Sequence, residues 1–250
     1  GVINSYNQAR DIPSLESTSN LSAALSLGTI SCRTVWNGAQ KSRNMATNEY
    51  QINSIDTWIK ELAWREFYQN ALINFPELEK GPYRKKWLDF QWQNRPAWLD
   101  AWENGLTGIP IVDAAMRQLK YSGWMHNRCR MIVASFLVKD LLIDWRWGES
   151  FFMKSLVDGD LASNNGGWQW SASSGMDPKP LRIFNPFRQA SKFDENGNYI
   201  RKWIPELSHI STPDLLSGEI NSLERKGYPK PIVNHKTQTS IFKELYSSIN

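Results

Sequence analysis

The clearest pattern in the chain is a recurrence of apolar residues at three- and four-residue spacing. Between Asn53 and Phe75 they fall at Ile55, Trp58, Ile59, Leu62, Phe67, Leu72 and Ile73, a helical period closed by Pro76. Ile111 to Leu119 repeats the pattern behind Pro110, which suits a first helical position. Trp124 to Trp145 reads as the clearest helical stretch. Its centre, Met131 to Val138, is apolar on nearly all sides and marks a core helix. Lys139 and Asp140 stop that run well short of a bilayer span. Phe151 to Leu156 and Lys202 to Leu207 read as short helices. Leu21 to Leu25 reads as a helix start behind the Ser/Thr-rich stretch 16–20.

Other segments read differently. Asp158 to Gly167 is expected to be a loop, because Gly-Asp and Asn-Asn-Gly-Gly act as breakers. Residues 176–200 hold Pro178, Pro180, Pro186 and Glu195-Asn196-Gly197-Asn198, and read as irregular chain with a turn. Residues 1–20 are expected to form an irregular lead-in, and the polar tail 211–250 to wrap the surface. No run shows sustained two-residue alternation, no GxGxxG follows a strand, and no phosphate-loop motif occurs. The expectation is one all-α domain over residues 1–250. A nucleotide cofactor would not sit on a Rossmann turn.

Composition adds three points. Thirteen Trp in 250 residues is unusual, and their placement needs a reason. A net charge of +4 permits an acidic partner without requiring one. Two cysteines, Cys32 and Cys129, and three histidines form no metal-ligand cluster, which fits a reducing compartment. The first residues lack a basic start, so no signal peptide is expected, nor any membrane association. The expected location is intracellular: cytoplasmic in a bacterium, nuclear or organellar in a eukaryote.

Three segments concentrate chemistry. On a helix, Trp124, Asn127 and Met131 would share a face, with Arg130 beside it and Arg128 away from it. The plain alternative is a core helix with a satisfied Asn and a paired Arg. Asp158 to Trp170 packs two acids, three amides, three glycines and two Trp into one stretch. Its alternative is a glycine-rich turn whose acids cap a helix. Trp58, Glu61 and Arg65 share a third helical face, flanked by Trp64, where a base could stack on indole and meet a carboxylate. An amphipathic helix with an exposed Glu61–Arg65 pair is the alternative there.

The motifs WxxELxWREFY (58–68), GxPxVDAAMRQL (108–119), GWMHNRxRM (123–131) and DGDLASNNGGWQW (158–170), together with residues 18–22, resemble the FAD-binding domain of the photolyase/cryptochrome family. The resemblance runs from Tyr6 to Leu207 and is nearest to class I cyclobutane pyrimidine dimer photolyases. It implies a helical domain with FAD folded at the bottom of a cavity, active in its reduced form. Tyr6, Thr18, Ser19 and Ser22 would hold the phosphates. Trp58, Arg65, Arg130, Asp158 and Asp160 would surround the flavin, and Asn164 would face its N5. Photoexcited reduced flavin would pass an electron to a flipped-out dimer, whose ring then splits.

The resemblance also assigns the substrate side. Glu61, Asn127 and Met131 would contact the dimer, Trp64 and Trp170 would wall it, and Arg10, Arg128 and Arg182 would hold DNA phosphates. Trp168, Trp145 and Trp92 match a chain of electron-hopping indoles. Relatives that repair (6–4) photoproducts carry His where this chain has Asn127 and Met131, so that class is not expected. Plant sensors of the family usually carry Asp where Asn164 stands, and animal sensors carry Cys. Asn20 stands where relatives often have a basic residue. No βαβ pattern precedes Tyr6, so no antenna chromophore is expected on this chain. A separate antenna domain or self-association is then a candidate partner.

Overall fold

The computed structural model describes residues 2–177 and 181–249. Among them there are thirteen α-helices and no strand. In order they are α1 (Tyr6–Ala9), α2 (Ser22–Ser26), α3 (Cys32–Asn44), α4 (Glu49–Asn74), α5 (Pro96–Glu103), α6 (Pro110–Ser122), α7 (Asn127–Lys139), α8 (Trp145–Ser155), α9 (Leu161–Ala172), α10 (Pro186–Phe193), α11 (Asn198–Trp203), α12 (Thr212–Ser217) and α13 (His235–Ser248). The all-helical expectation is met.

Helix starts follow local chemistry. Side-chain oxygens of Ser31, Asn48, Asp144 and Asp160 accept backbone N–H bonds at the heads of α3, α4, α8 and α9. Pro96, Pro110 and Pro186 open α5, α6 and α10, where their missing N–H is no loss. Gly123, at φ 67°, ends α6 in the left-handed region that glycine tolerates.

Two packing layers meet at the long helix and at α9. α4 packs on α1, α3 and α9, while α7 and α8 cover other sides of α9. The main core is built from α6, α7, α8 and α9 with Trp102, Phe136, Trp145 and Trp168 buried inside it. A smaller cluster of Tyr6, Val35, Ala39, Trp58 and Leu62 joins the N-terminal helices to α4.

Several expectations need correction. The stretch 158–167 is not a loop: α9 begins at Leu161 and runs through both glycines. Gly166 is there for close packing, since a Cβ on it would lie 2.1 Å from the Tyr68 ring. The Trp124–Trp145 stretch is two helices rather than one. His126 caps α7, so Trp124 precedes the helix that carries Asn127 and Met131, and Trp145 begins α8. Residues 185–203 hold α10 and α11, while Pro178 and Pro180 lie outside the described residues. The lead-in is partly ordered, with a 3-10 turn at Val2–Ser5 and then α1.

The tail is not a surface wrap. Leu215, Tyr228, Val233 and Phe242 are buried in the main core. Tyr228 donates its hydroxyl to Asp113 Oδ2 at 2.5 Å, and His235 Nδ1 meets Asp140 Oδ1 at 2.5 Å. Gly108, at φ 79°, lets the tail pass, because a Cβ there would lie 2.3 Å from Lys230 backbone. Polar residues between the apolar ones hid this from composition. No described helix is long and apolar enough to cross a membrane.

Candidate cofactor and substrate site

Four ion pairs join four elements into a closed ring. Arg10 at the end of α1 donates to Glu61 Oε1 on α4 at 2.6 Å. Arg65 on α4 reaches Asp160, the cap of α9, at 4.0 Å. Arg130 on α7 donates to both oxygens of Asp158, just before α9, at 3.0 and 2.8 Å. Arg128 on α7 pairs with Asp11, just after α1, at 2.8 Å. The circuit α1–α4–α9–α7–α1 is built from residues that the sequence singled out, together with Asp11.

The ring has an inner and an outer set. Tyr6, Trp58 and Asp158 are buried, while Trp64 and Asn127 are exposed. A cleft of about 390 Å³ opens beside Tyr6, Ser19 and Trp58, with apolar walls from Ile3, Leu21 and Val35. Burial pushes the Tyr6 hydroxyl up to about 12, and the Glu61 charge adds to the shift, so it stays a hydrogen-bond donor. Thr18 donates to Asn20 Oδ1 at 3.0 Å, and Asn20 sits at φ 53°. Ser19 and Ser22 are exposed hydroxyls on either side of that bend.

Asp158 is held by a bidentate guanidinium, while Arg130 Nε also donates to the Met125 carbonyl at 2.8 Å. A half-buried pair so fully hydrogen-bonded is rigid, which suits an orienting role. Asp160 has both oxygens engaged, by Ser163 N at 2.8 Å and Gln69 Nε2 at 2.9 Å. Its capping role is therefore real alongside any ligand role. Asn164 donates its amide to the Glu149 carbonyl at 3.0 Å, which leaves its side-chain oxygen as an acceptor.

On the outer set, Asn127 Nδ2 lies 4.0 Å from Met131 Sδ, one turn away on α7. Trp64 is 54% exposed and stacks on Tyr68 with centroids 6.0 Å apart. Trp170 stands with Arg182 over its ring at 5.0 Å, and Arg182 also pairs with Asp177 at 3.0 Å. Thus each of the three arginines expected to hold phosphate meets a carboxylate in this structure. Of the three candidate redox indoles, Trp145 and Trp168 are buried and Trp92 is partly exposed. Trp168 touches the rings of Trp102 at 6.1 Å and Phe152 at 5.0 Å, and Trp92 those of Trp87 at 6.1 Å and Phe90 at 4.3 Å.

Two residues escaped the sequence reading. Asp11 closes the ring, and its only signal was adjacency to Arg10. Glu149 lies under Asn164 and Asn165, which donates to its Oε1 at 2.9 Å. Burial pushes the Glu149 carboxyl up to about 7, against the lowering effect of that hydrogen bond. Nothing in its spacing from Asn164 marked it.

Hydroxyls of Tyr6 and Ser19 at the cleft, the Trp58 ring in its wall and a fixed Arg130–Asp158 pair are groups that suit an anionic dinucleotide with a flat ring system, such as a flavin dinucleotide. Comparison with known proteins decides the family. Residues 58–248 match the FAD binding domain of DNA photolyase. The chain belongs to this photolyase family. It is 58% identical over 248 residues to the deoxyribodipyrimidine photo-lyase of Synechococcus sp., covering 99% of this chain and 51% of that protein. To the deoxyribodipyrimidine photo-lyase of Escherichia coli it is 50% identical over 238 residues, 92% of this chain and 49% of the relative. The chain thus spans about half the length of the photolyases it matches.

Solved photolyase-family structures share the fold. A class III photolyase from Agrobacterium tumefaciens superposes with a TM-score of 0.92 at 42% identity, covering 100% of this chain and 53% of that one. An archaeal photolyase from Sulfolobus tokodaii, solved with two FAD molecules, gives 0.88 at 36% identity, covering 99% and 54%. A cryptochrome from Synechocystis sp. gives 0.88 at 31% identity, covering 97% and 52%.

Proposed function

We propose that this chain binds FAD and, with the reduced cofactor under light, repairs cyclobutane pyrimidine dimers in DNA. The observation that carries the reading is the closed ring of ion pairs that ties α1, α4, α9 and α7 together, with Tyr6, Trp58 and Asp158 buried beside it and Trp64 and Asn127 exposed. The hydroxyls of Tyr6, Thr18, Ser19 and Ser22 would hold the diphosphate, and Arg65 would stand beside the flavin. Trp58, Arg130, Asp158, Asp160 and Asn164 would surround the flavin ring. When bound, reduced FAD supplies a light-excitable electron donor, and the protein supplies position and field. The free acceptor oxygen of Asn164 suits a ring N–H of the reduced form.

On the substrate side, Glu61 would accept from the base edges of a flipped dimer. Asn127 and Met131 would contact it from α7, while Trp64 and Trp170 would stack on it. Flipping costs least at a lesion that is already poorly stacked. Arg10, Arg128 and Arg182 would meet phosphates, which position the strand without reading sequence. Trp168, Trp145 and Trp92 would carry electrons between the site and the surface.

A blue-light sensor is the second reading, favoured by the likeness to the Synechocystis cryptochrome. A sensor has no use for a dimer-binding wall, so the outer set favours repair. The separating experiment is Glu61→Ala. The variant is expected to keep its flavin absorbance and to lose at least about tenfold in repair rate, the scale of one charge-assisted hydrogen bond of about 1.5–3 kcal/mol. Full repair by the variant would remove Glu61 from the site, and a colourless wild-type protein would contradict the cofactor assignment.

A further inference from the structure

The ends of α1 and α7 and the outer side of α4 carry a row of charges that alternate in sign. Glu61 accepts from Arg10 Nη1 at 2.6 Å, Arg10 Nε lies 4.0 Å from Asp11 Oδ1, and that same oxygen lies 2.8 Å from Arg128 Nη2. Asp11 therefore stands between two cations that would otherwise face DNA. Arg128 is further fixed by lying over the Phe193 ring at 4.2 Å. The side chains of the row are 16% to 35% exposed, so water screens them only in part. His126, at the head of the same helix, adds no third cation near neutral pH, because burial pushes it down to about 4. Two acids and two arginines make this row neutral.

We infer that Asp11 is a specificity-determining positioning residue, which neutralises Arg10 and Arg128 in the DNA-free protein and withholds them from the phosphates of undamaged DNA. The inference rests on the DNA-repair reading above. Undamaged duplex keeps its bases stacked and offers nothing to Glu61, so the row stays closed. A flipped dimer brings base-edge N–H donors to Glu61 and competes with Arg10 for that carboxylate. Arg10 then turns to a flanking phosphate, and its departure leaves Asp11 to a single partner that a second phosphate can draw off. Lesion recognition and grip on the backbone are coupled through shared acids. Such a device lowers affinity for the wrong DNA more than for the right one, which is how discrimination is built.

Two measurements test this. The first is the salt dependence of binding of flavin-loaded wild-type protein to a thymine-dimer duplex and to the same duplex undamaged. Each arginine newly placed on phosphate steepens the plot of log affinity against log salt by about 0.9. The dimer duplex is expected to give the steeper slope by about one to two such steps, and equal slopes would overturn the inference. The second is the variant Asp11→Asn. Its affinity for undamaged duplex should rise by at least about threefold, with a steeper slope, while the dimer duplex gains less. Asp11→Glu, which keeps the charge, should restore the wild-type preference. A fall in affinity for both DNAs, or an unchanged preference, would make Asp11 a structural brace and overturn its role in selection. Wild-type protein that shows no preference for the dimer at all would instead count against the repair reading itself.

Discussion

Glu149 shows what a single residue under the site does to pH behaviour. Its carboxyl, pushed up to about 7 by burial, keeps a proton that the unfolded chain releases near 4.5. Below about 4.5 both states are protonated, and above about 7 both are ionised. Between them the folded state holds more protons, so stability falls as pH rises across that window and is level beyond it. Glu149→Gln removes the titration. Thermal melts of flavin-loaded protein from pH 5 to 7.5 should show the variant gaining on the wild type as pH rises, by up to a few kcal/mol. A gap that stays constant would place the titration elsewhere. Glu149 was not legible because its role comes from α8 lying against α9, a contact between helices that residue spacing does not carry. Asp160 was legible twice over, as a cap and as a lining acid, and the structure keeps both roles open.

Among elements, α4 was readable because it buries one side, with Ile55, Trp58 and Leu62 inside, the case in which periodicity speaks clearly, and α6 because Pro110 marks its start and Gly123 its end. α9 was not, since its glycines look like breakers. Gly166 is required by packing, since the Tyr68 ring would meet a Cβ there at 2.1 Å, while Gly167 faces open space; Gly148 of α8 likewise makes room for the Trp168 ring, 2.1 Å from a Cβ built there. Tertiary packing overrode propensity there. The tail failed for the opposite reason, because α13 hides its buried side among Lys, Thr and Ser. Phe242 has no exposed surface and packs near Trp87 and Phe90. Phe242→Ala should therefore cost about 3–5 kcal/mol in urea unfolding. A loss under about 1 kcal/mol would mean that the tail is loosely held.

At the scale of the whole molecule, the four ordered motifs were enough to indicate the family and to single out candidate site residues on α4, α7 and α9. What they did not reveal is that the motifs are bound to one another by a ring of arginine–carboxylate pairs, because each pair spans separate motifs or reaches Asp11 outside them. Trp92→Phe should slow photoreduction of oxidised flavin, followed by absorbance under blue light, while leaving repair by already reduced flavin intact. Unchanged photoreduction would count against the hopping route. The whole account turns on light-driven repair. Its most direct test is incubation of a defined thymine-dimer oligonucleotide with purified, flavin-reduced protein, one sample lit and one dark. The account predicts loss of the dimer in the lit sample alone; an intact dimer in the lit sample, with flavin and DNA both bound, would contradict it.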